Sequence, residues 1–377
     1  MAPRAFDLIV LGAGPAGASA AVEARRLGLS VALVDKARFP RDKLCGGGVT
    51  GRAQAALAGV FGALPRDLFH DVRHVRLMAG ARVIGDHPDA PVLAMTMRRA
   101  FDAELVGRAL AAGAADFTGR RAALELPAVA MTLGDGTGLT ARALIGADGV
   151  NSAVAKALFG RAFDPKEIGF ALETEVPGPP EAAAELDLAA AAWGYGWAFP
   201  KAGGTTVGVG GVAGRNADLR PAMEAYLARH GGAGLKVKGH HLPFGDARPD
   251  PARGAVLLAG DAAGFVDPLT GEGIGWAVTS GQLAAQAVAA ALAEGRPEGA
   301  GPRYLAATAH LRGELARARR LRALVYHPWL RARCIDLLAR DMRLQRRFLA
   351  LLAGEMDYAD LRPARVLRHL ARMVLRA

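Results

Sequence analysis

Asp7-Leu8-Ile9-Val10-Leu11-Gly12-Ala13-Gly14-Pro15-Ala16-Gly17 reads as a short apolar strand running straight into a glycine turn that opens a helix, Ala18 to Leu27. In that strand–turn–helix setting G-x-G-x-x-G is the dinucleotide fingerprint rather than a chance cluster of glycines. Gly12 permits the tight turn, Gly14 lets a pyrophosphate approach, and Gly17 lets the helix close on the strand. A second strand, Ser30 to Val34, ends in Asp35, whose carboxylate stands where an adenosine ribose offers its hydroxyls. The expected fold is therefore α/β, built on a Rossmann-like nucleotide-binding domain.

A second strand-to-helix turn lies far downstream. Ala255-Val256-Leu257-Leu258-Ala259 leads into Gly260-Asp261-Ala262-Ala263-Gly264, then through Pro268 to Gly271-Glu272-Gly273 and a long Ala-rich helical run. Glycines allow close backbone approach, and the free N–H groups of a helix N-terminus favour an anion there. No second complete fingerprint occurs, so a separate nicotinamide domain is not expected. FAD is long enough to touch the first turn with its adenine end and the second with its ribityl and flavin end. It is the cofactor this pairing of turns points to, with Asp261 as candidate for the ribityl or phosphate contacts and Pro268 to Gly273 for the flavin edge.

With 377 residues, 51% hydrophobic and 22% charged, the chain is an ordinary globular protein of two or three structural units. Two cysteines, Cys45 and Cys334, exclude a disulfide framework or a cysteine-rich metal site and favour a reducing cytoplasm. The histidines have no metal-ligand spacing, and His240-His241 reads as a solvated strand end. No nucleophile elbow, signal peptide or membrane-length apolar run occurs. The net charge of +11 sits in residues 303–377, which hold 17 arginines, no lysine and six acidic residues. Interleaved with apolar positions, as in Leu337 to Leu344, these arginines read as the basic face of a helical lid or as a peripheral contact with the anionic inner face of a membrane. The lack of lysine and of interleaved aromatics argues against nucleic acid.

Between the turns, Lys36-Ala37-Arg38-Phe39-Pro40-Arg41-Asp42-Lys43-Leu44-Cys45-Gly46-Gly47 forms a basic loop ending in glycines. Together with Arg98-x-x-Phe101-Asp102, Ala147-Asp148-Gly149-x-x-Ser152, Gly194-Tyr195-Gly196-Trp197-x-Phe199-Pro200-Lys201 and the Gly260–Gly273 stretch, it closely resembles the geranylgeranyl reductase family of FAD enzymes, within the larger group shaped like aromatic hydroxylases. The resemblance covers residues 6 to about 295 and leaves the Arg-rich segment out. It implies cofactor contacts from Gly12, Gly14, Gly17, Asp35, Lys36, Arg41, Cys45, Gly46, Gly47, Arg98, Asp148, Gly260, Asp261, Gly264, Pro268, Gly271 and Gly273. It also places the Cys45 loop at the flavin face, which makes Cys45 a candidate proton donor. Plainer readings stand beside these: Cys45 as a small apolar filler, Arg98 as a surface arginine, Asp148 as an Asp-Gly turn.

Trp193-Gly194-Tyr195-Gly196-Trp197-Ala198-Phe199 alternates aromatic and small residues, so an extended strand puts four rings on one face. With Lys201-Ala202-Gly203-Gly204 as a hairpin turn, Trp197 falls opposite Gly208 and Tyr195 opposite Gly210. Rings facing absent side chains can wall a groove for a long apolar molecule, and Tyr195 and Trp197 are its candidate site residues; a sheet core is the other reading. Isoprenoid-reducing members often carry proline and glycine where this chain has Ala192 and Trp193. Residues 1–71, 98–164 and 248–300 are expected to form the FAD domain, 72–97 and 165–247 an inserted antiparallel substrate sheet, and 301–377 a C-terminal helical segment. The implied activity is saturation of isoprenoid C=C bonds by hydride from reduced flavin, with NADPH or reduced ferredoxin as electron donor. The alternatives are a flavin-dependent monooxygenase acting on an aromatic substrate and a non-catalytic flavin-binding or electron-carrier protein.

Overall fold

A computed structural model describes residues 2–361; the arginines of 362–377 lie outside the described residues. The chain is mixed α/β with a Rossmann-type FAD-binding fold. Arg4–Leu11 occupies the middle of an eight-stranded sheet, parallel to Val31–Asp35 on one side and to Gly138–Gly146 on the other. Ala115–Thr118 and Val256–Leu258 extend it outward, also in parallel. Leu8, Ile9, Val10, Leu33 and Leu144 are fully buried, as parallel strands covered on both faces require. The chain leaves Arg4–Leu11 toward one edge and enters Gly138–Gly146 on the other side, so the strand order reverses between them. That switch point is where open α/β sheets bind ligands, at the carboxyl ends of the strands.

Two helices cover this sheet at the crossing. Pro15–Arg26 packs against Ile274–Ala293 so closely that a Cβ on Gly281 would lie 2.1 Å from the Ala16 carbonyl oxygen. The Ser19 hydroxyl donates to the Val278 carbonyl at 2.7 Å within the same contact. The fingerprint helix and the helix after the second glycine turn are thus one packed pair, and their N-termini open on the same space.

The second sheet has seven strands in the order Lys238–Leu242, Gly169–Pro177, Gly204–Val212, Gly194–Lys201, Ala184–Asp187, Val75–Ala79, Arg82–His87. Its pairs are antiparallel except Ala184–Asp187 with Val75–Ala79. Leu93–Thr96 pairs instead with Gly48–Val49 and Phe69–Val72 in a small three-stranded sheet. On the back of the large sheet, Leu172, Ala198, Val207 and Val209 meet Met223 and Tyr226 of the Arg220–Arg229 helix. Small residues make that contact possible, since a Cβ on Gly196 would come within 3.2 Å of the Tyr226 ring.

Residues 300–353 form four further helices. Leu338 from Pro328–Arg340, with Leu349 and Leu352 from Met342–Ala353, joins Leu77, Leu186 and Trp197 in one apolar cluster on the front of the seven-stranded sheet. Gln345 is buried there, its amide donating to the Ile84 and Leu338 carbonyls at 2.8 Å each. Among the described residues no helix is long and apolar enough to cross a membrane.

Candidate active site

A cavity of about 640 Å³ runs from the switch point of the first sheet to the front face of the second. Its first end is built for an anion. Gly12 has φ +99°, and a Cβ there would stand 2.2 Å from the Ala147 carbonyl oxygen, so the turn after Leu11 and the turn after Gly146 fit together only through glycine. Gly14 is the N-cap of Pro15–Arg26 with no side chain capping it, which leaves the N–H groups of the first turn directed at the cavity. A Cβ on Gly14 would meet only Arg41 Nη2, at 3.8 Å.

Arg41 is held for this place. Its guanidinium stacks on Phe39 at 4.8 Å and its Nη2 lies 3.0 Å from the fully buried Asp102. Its Nη1 is buried with no hydrogen-bond partner among the described residues, and a buried orphan donor is costly unless a ligand takes it. Arg98 holds the other side of Asp102 at 2.7 and 2.8 Å. Burial acts to lower the Arg98 pKa, but the Asp102 carboxylate and the neighbouring Cys45 outweigh it and hold the guanidinium firmly charged. Two arginines on one carboxylate leave net positive charge beside an uncapped helix N-terminus. The residues present fit the pyrophosphate of FAD.

The far end is formed by the second glycine turn. Asp261, Thr270, Gly271, Glu272 and Gly273 line the cavity, and Gly273 is the N-cap of Ile274–Ala293, whose first turn is capped by the Glu272 carboxylate accepting from the Gly275 amide at 2.6 Å. Burial pushes the Glu272 carboxyl up to about 7, against the N–H of Gly275 and the charge of Arg52. Asp267 holds the loop open: its Oδ1 accepts from the Leu269 and Thr270 amides and from the Tyr358 hydroxyl at 2.8, 2.9 and 2.9 Å. Pro268 faces away, lining an outer groove beside Ala309–Val325.

The third wall is the front of the seven-stranded sheet, and its register explains its shape. One row across four strands reads Tyr195, Gly210, Ala171, His240; the next reads Trp197, Gly208, Glu173, Lys238; the third, over three strands, reads Phe199, Thr206, Glu175. Gly208 and Gly210 make a trough of bare backbone between an aromatic ridge and a polar ridge. A Cβ on Gly208 would lie 2.3 Å from Trp197 Cζ2, so the ring rests in the trough itself. Trp197 is 8% exposed and its Nε1 has no hydrogen-bond partner among the described residues. Phe199 and Trp197 also press on Gly46, whose Cβ would meet them at 3.0 and 3.2 Å, so the Cys45-Gly46-Gly47 loop is clamped against the aromatic strand. Leu93, Met95, Leu186 and Leu352 continue the apolar side.

The hairpin register expected from the sequence is the one found, but three aromatics share the face rather than four. Trp193 lies before the strand with φ +50°, a rare conformation for a bulky residue, and its ring turns toward Tyr326 at 6.5 Å and Arg215 at 5.0 Å. Chain reversal at Trp193 breaks the alternation. His240 is no solvated strand end: it is half-buried in the cavity wall, and burial together with Lys43 and His241 pushes its pKa down to about 4.

Among the cofactor candidates, Gly12, Gly14, Asp35, Lys36, Arg41, Cys45, Gly46, Gly47, Arg98, Asp148, Asp261, Gly271 and Gly273 line the cavity, as do Tyr195 and Trp197. Gly17, Gly260 and Gly264 stand behind it as packing positions; a Cβ on Gly17 would collide with the Gly12 carbonyl oxygen at 1.7 Å. Asp35 reaches the wall with both oxygens engaged, accepting from the Ala13 and Ala37 amides at 2.8 and 2.7 Å. Asp148 directs its carboxylate at the start of Ala153–Phe159, accepting from the Ser152 hydroxyl at 2.5 Å and the Ala153 amide at 2.7 Å. The Cys45 thiol accepts from the Gly47 amide at 3.4 Å. Glu173 and His240 escaped the sequence reading as cavity residues, while Glu272 falls within the Pro268 to Gly273 stretch expected at the flavin edge. Nothing local marked either of the first two, since they reach the cavity wall through the pairing of Gly169–Pro177 with Gly204–Val212 and Lys238–Leu242. Among the described residues no group of three or more His, Cys, Asp or Glu side chains could hold a metal ion.

Residues 7–112 match a family model described as FAD dependent oxidoreductase. The chain is 36% identical to a menaquinone reductase of Mycobacterium tuberculosis over 315 residues, which is 74% of this chain and 76% of that one. It is 30% identical to a chloroplastic geranylgeranyl diphosphate reductase of Oryza sativa, over 78% of this chain and 68% of that one. A solved structure from Thermoplasma acidophilum, described as geranylgeranyl bacteriochlorophyll reductase-like, superposes with a TM-score of 0.79 at 21% identity, covering 98% of this chain and 100% of that one.

Proposed function

Because the chain belongs to the geranylgeranyl reductase family of FAD-dependent oxidoreductases, we propose that it saturates carbon–carbon double bonds in an isoprenoid chain lying in the trough over Gly208 and Gly210. The trough carries this reading: Tyr195 and Trp197, on an aromatic ridge continued by Phe199, stand opposite residues without side chains, a shape for a flexible apolar chain rather than for a compact polar ring. The names of the relatives support it, since menaquinone and geranylgeranyl diphosphate both carry polyprenyl chains.

Bound FAD, once reduced, supplies the hydride for such a saturation. The chain's own residues bind and orient. Gly12, Gly14, Arg41 and Arg98 receive the pyrophosphate, and the N-terminus of Ile274–Ala293, with its Gly275 N–H taken by Glu272, is offered to the ring end. The clamp of Trp197 and Phe199 on Gly46 brings the Cys45 loop to the alkene and keeps water from the apolar side. In this reading the seven-stranded sheet is the substrate domain, and NADPH or reduced ferredoxin restores the electrons. We also propose peripheral contact with an anionic membrane through the Arg-rich helices, where Trp329 is 84% exposed beside Arg333.

The test is reoxidation of the flavin. With reduced holoprotein under argon, addition of a polyprenyl quinone or geranylgeranyl diphosphate restores the oxidised flavin spectrum if the proposal holds. Reoxidation only on admitting oxygen, with a hydroxylated product, identifies a monooxygenase instead.

A further inference from the structure

Glu173 sits in the middle of Gly169–Pro177, only 5% exposed, in the wall of the cavity. Its cross-strand neighbour is Gly208 and the residue beyond that is Trp197, so its carboxyl stands beside the trough, next to the Trp197 ring that lies over Gly208. A carboxylate buried this deeply ordinarily has a cation bonded to it. Here the near cations bond elsewhere: Lys201 Nζ lies 3.5 Å from Glu175 and 3.4 Å from the Cys45 carbonyl oxygen, and Lys43 Nζ donates to the Leu44 carbonyl at 3.2 Å. Lys201, the backbone N–H of Cys45 and Lys43 act on the Glu173 carboxyl electrostatically, against its burial.

We propose, on the reading of the reaction given above, that the Glu173 carboxyl is the proton donor of the saturation step. The place in the fold fits that task better than the Cys45 thiol, which accepts from Gly47 within its own loop. The double bond gains a hydride at one carbon from the reduced flavin. The π electron pair takes the Glu173 proton at the other carbon, breaking the carboxyl O–H bond and forming the second C–H bond. The flavin is oxidised, the alkene is reduced, and the carboxylate left behind is reprotonated from water. Burial raises the proton affinity of Glu173; Lys201 on the neighbouring strand, the Cys45 N–H and Lys43 on the loop oppose this, and Glu175 on its own strand adds to it. Lys238, opposite on the edge strand, is exposed.

The experiment compares wild-type, Glu173→Gln, Glu173→Asp and Cys45→Ala holoproteins in anaerobic single turnovers with a polyprenyl substrate across pH. Positioned acids contribute about 100-fold or more. The expected result is a wild-type rate that falls as pH rises through the raised Glu173 pKa, and a loss of about 100-fold or more in E173Q together with that pH dependence. The pH dependence returns in E173D, the FAD absorbance stays unchanged in all variants, and Cys45→Ala keeps the limb. An E173Q protein with wild-type rate and pH profile, or a pH limb that vanishes in Cys45→Ala instead, overturns the proposal while leaving the saturase reading intact. A wild type inert toward every polyprenyl alkene overturns both.

Discussion

The Tyr195 hydroxyl donates to the Thr270 carbonyl at 2.5 Å, a bond that ties the aromatic strand of the seven-stranded sheet to the loop preceding Ile274–Ala293. Burial holds the phenol well above its ordinary pKa, so it remains a donor throughout the working range. The trough and the flavin-side loop are thereby set at a fixed distance. Tyr195→Phe removes one buried hydrogen bond, worth about 1 kcal/mol. It is expected to leave FAD affinity unchanged while kcat/KM for the apolar substrate falls roughly five- to tenfold by the same energy; steady-state kinetics beside a flavin titration separate the two.

Gly208→Val tests the trough itself. The new Cβ would stand 2.3 Å from Trp197 Cζ2, so the ring must leave the trough. Overpacking of this kind costs about 1–3 kcal/mol of stability. The expected outcome is a folded, flavin-loaded protein whose turnover falls at least about tenfold through displaced substrate contacts, read from saturated product by mass spectrometry.

Arg41→Ala tests the pyrophosphate cradle. Asp102 keeps its two bonds to Arg98, so the site does not collapse. Charge-assisted hydrogen bonds contribute about 1.5–3 kcal/mol, and FAD affinity is expected to fall by roughly ten- to a hundredfold, measured by fluorescence quenching on titrating apoprotein with FAD.

On the back of the sheet, the His230 ring lies 2.6 Å from Glu181 and 3.4 Å from Glu185. Burial alone would lower its pKa, but the two carboxylates hold it up at about 9, above the ordinary 6.5. A His with a raised folded-state pKa stabilises fully below about 6.5 and loses that contribution as pH rises through about 9. Thermal melts of the wild type should therefore drop across that window, and His230→Asn should flatten the drop.

Much of this architecture is legible in the sequence. Both glycine turns and the Tyr195–Gly210 and Trp197–Gly208 register follow from local rules: apolar strand length, glycine at positive φ, and the period of two along a strand. What stayed hidden depends on contacts distant in sequence. Asp35 and Asp148 sit where their motifs place them, yet bond backbone amides of the Ala13 turn and the Ala153–Phe159 helix. His240 and Glu173 become cavity residues only through pairing with strands that sequence distance does not order. Trp193 broke its pattern because the chain turns through a positive φ there, a bend that no alternation of residue types encodes.

The central claim is that the trough over Gly208 and Gly210 presents an isoprenoid double bond for reduction. Its most direct measurement is the mass of the organic product after reduced holoprotein is mixed with a polyprenyl substrate in the absence of oxygen. A product heavier by two hydrogens, formed in proportion to flavin oxidised, is the result predicted. An unchanged polyprenyl chain, or a product that gains oxygen only once air is admitted, would contradict it.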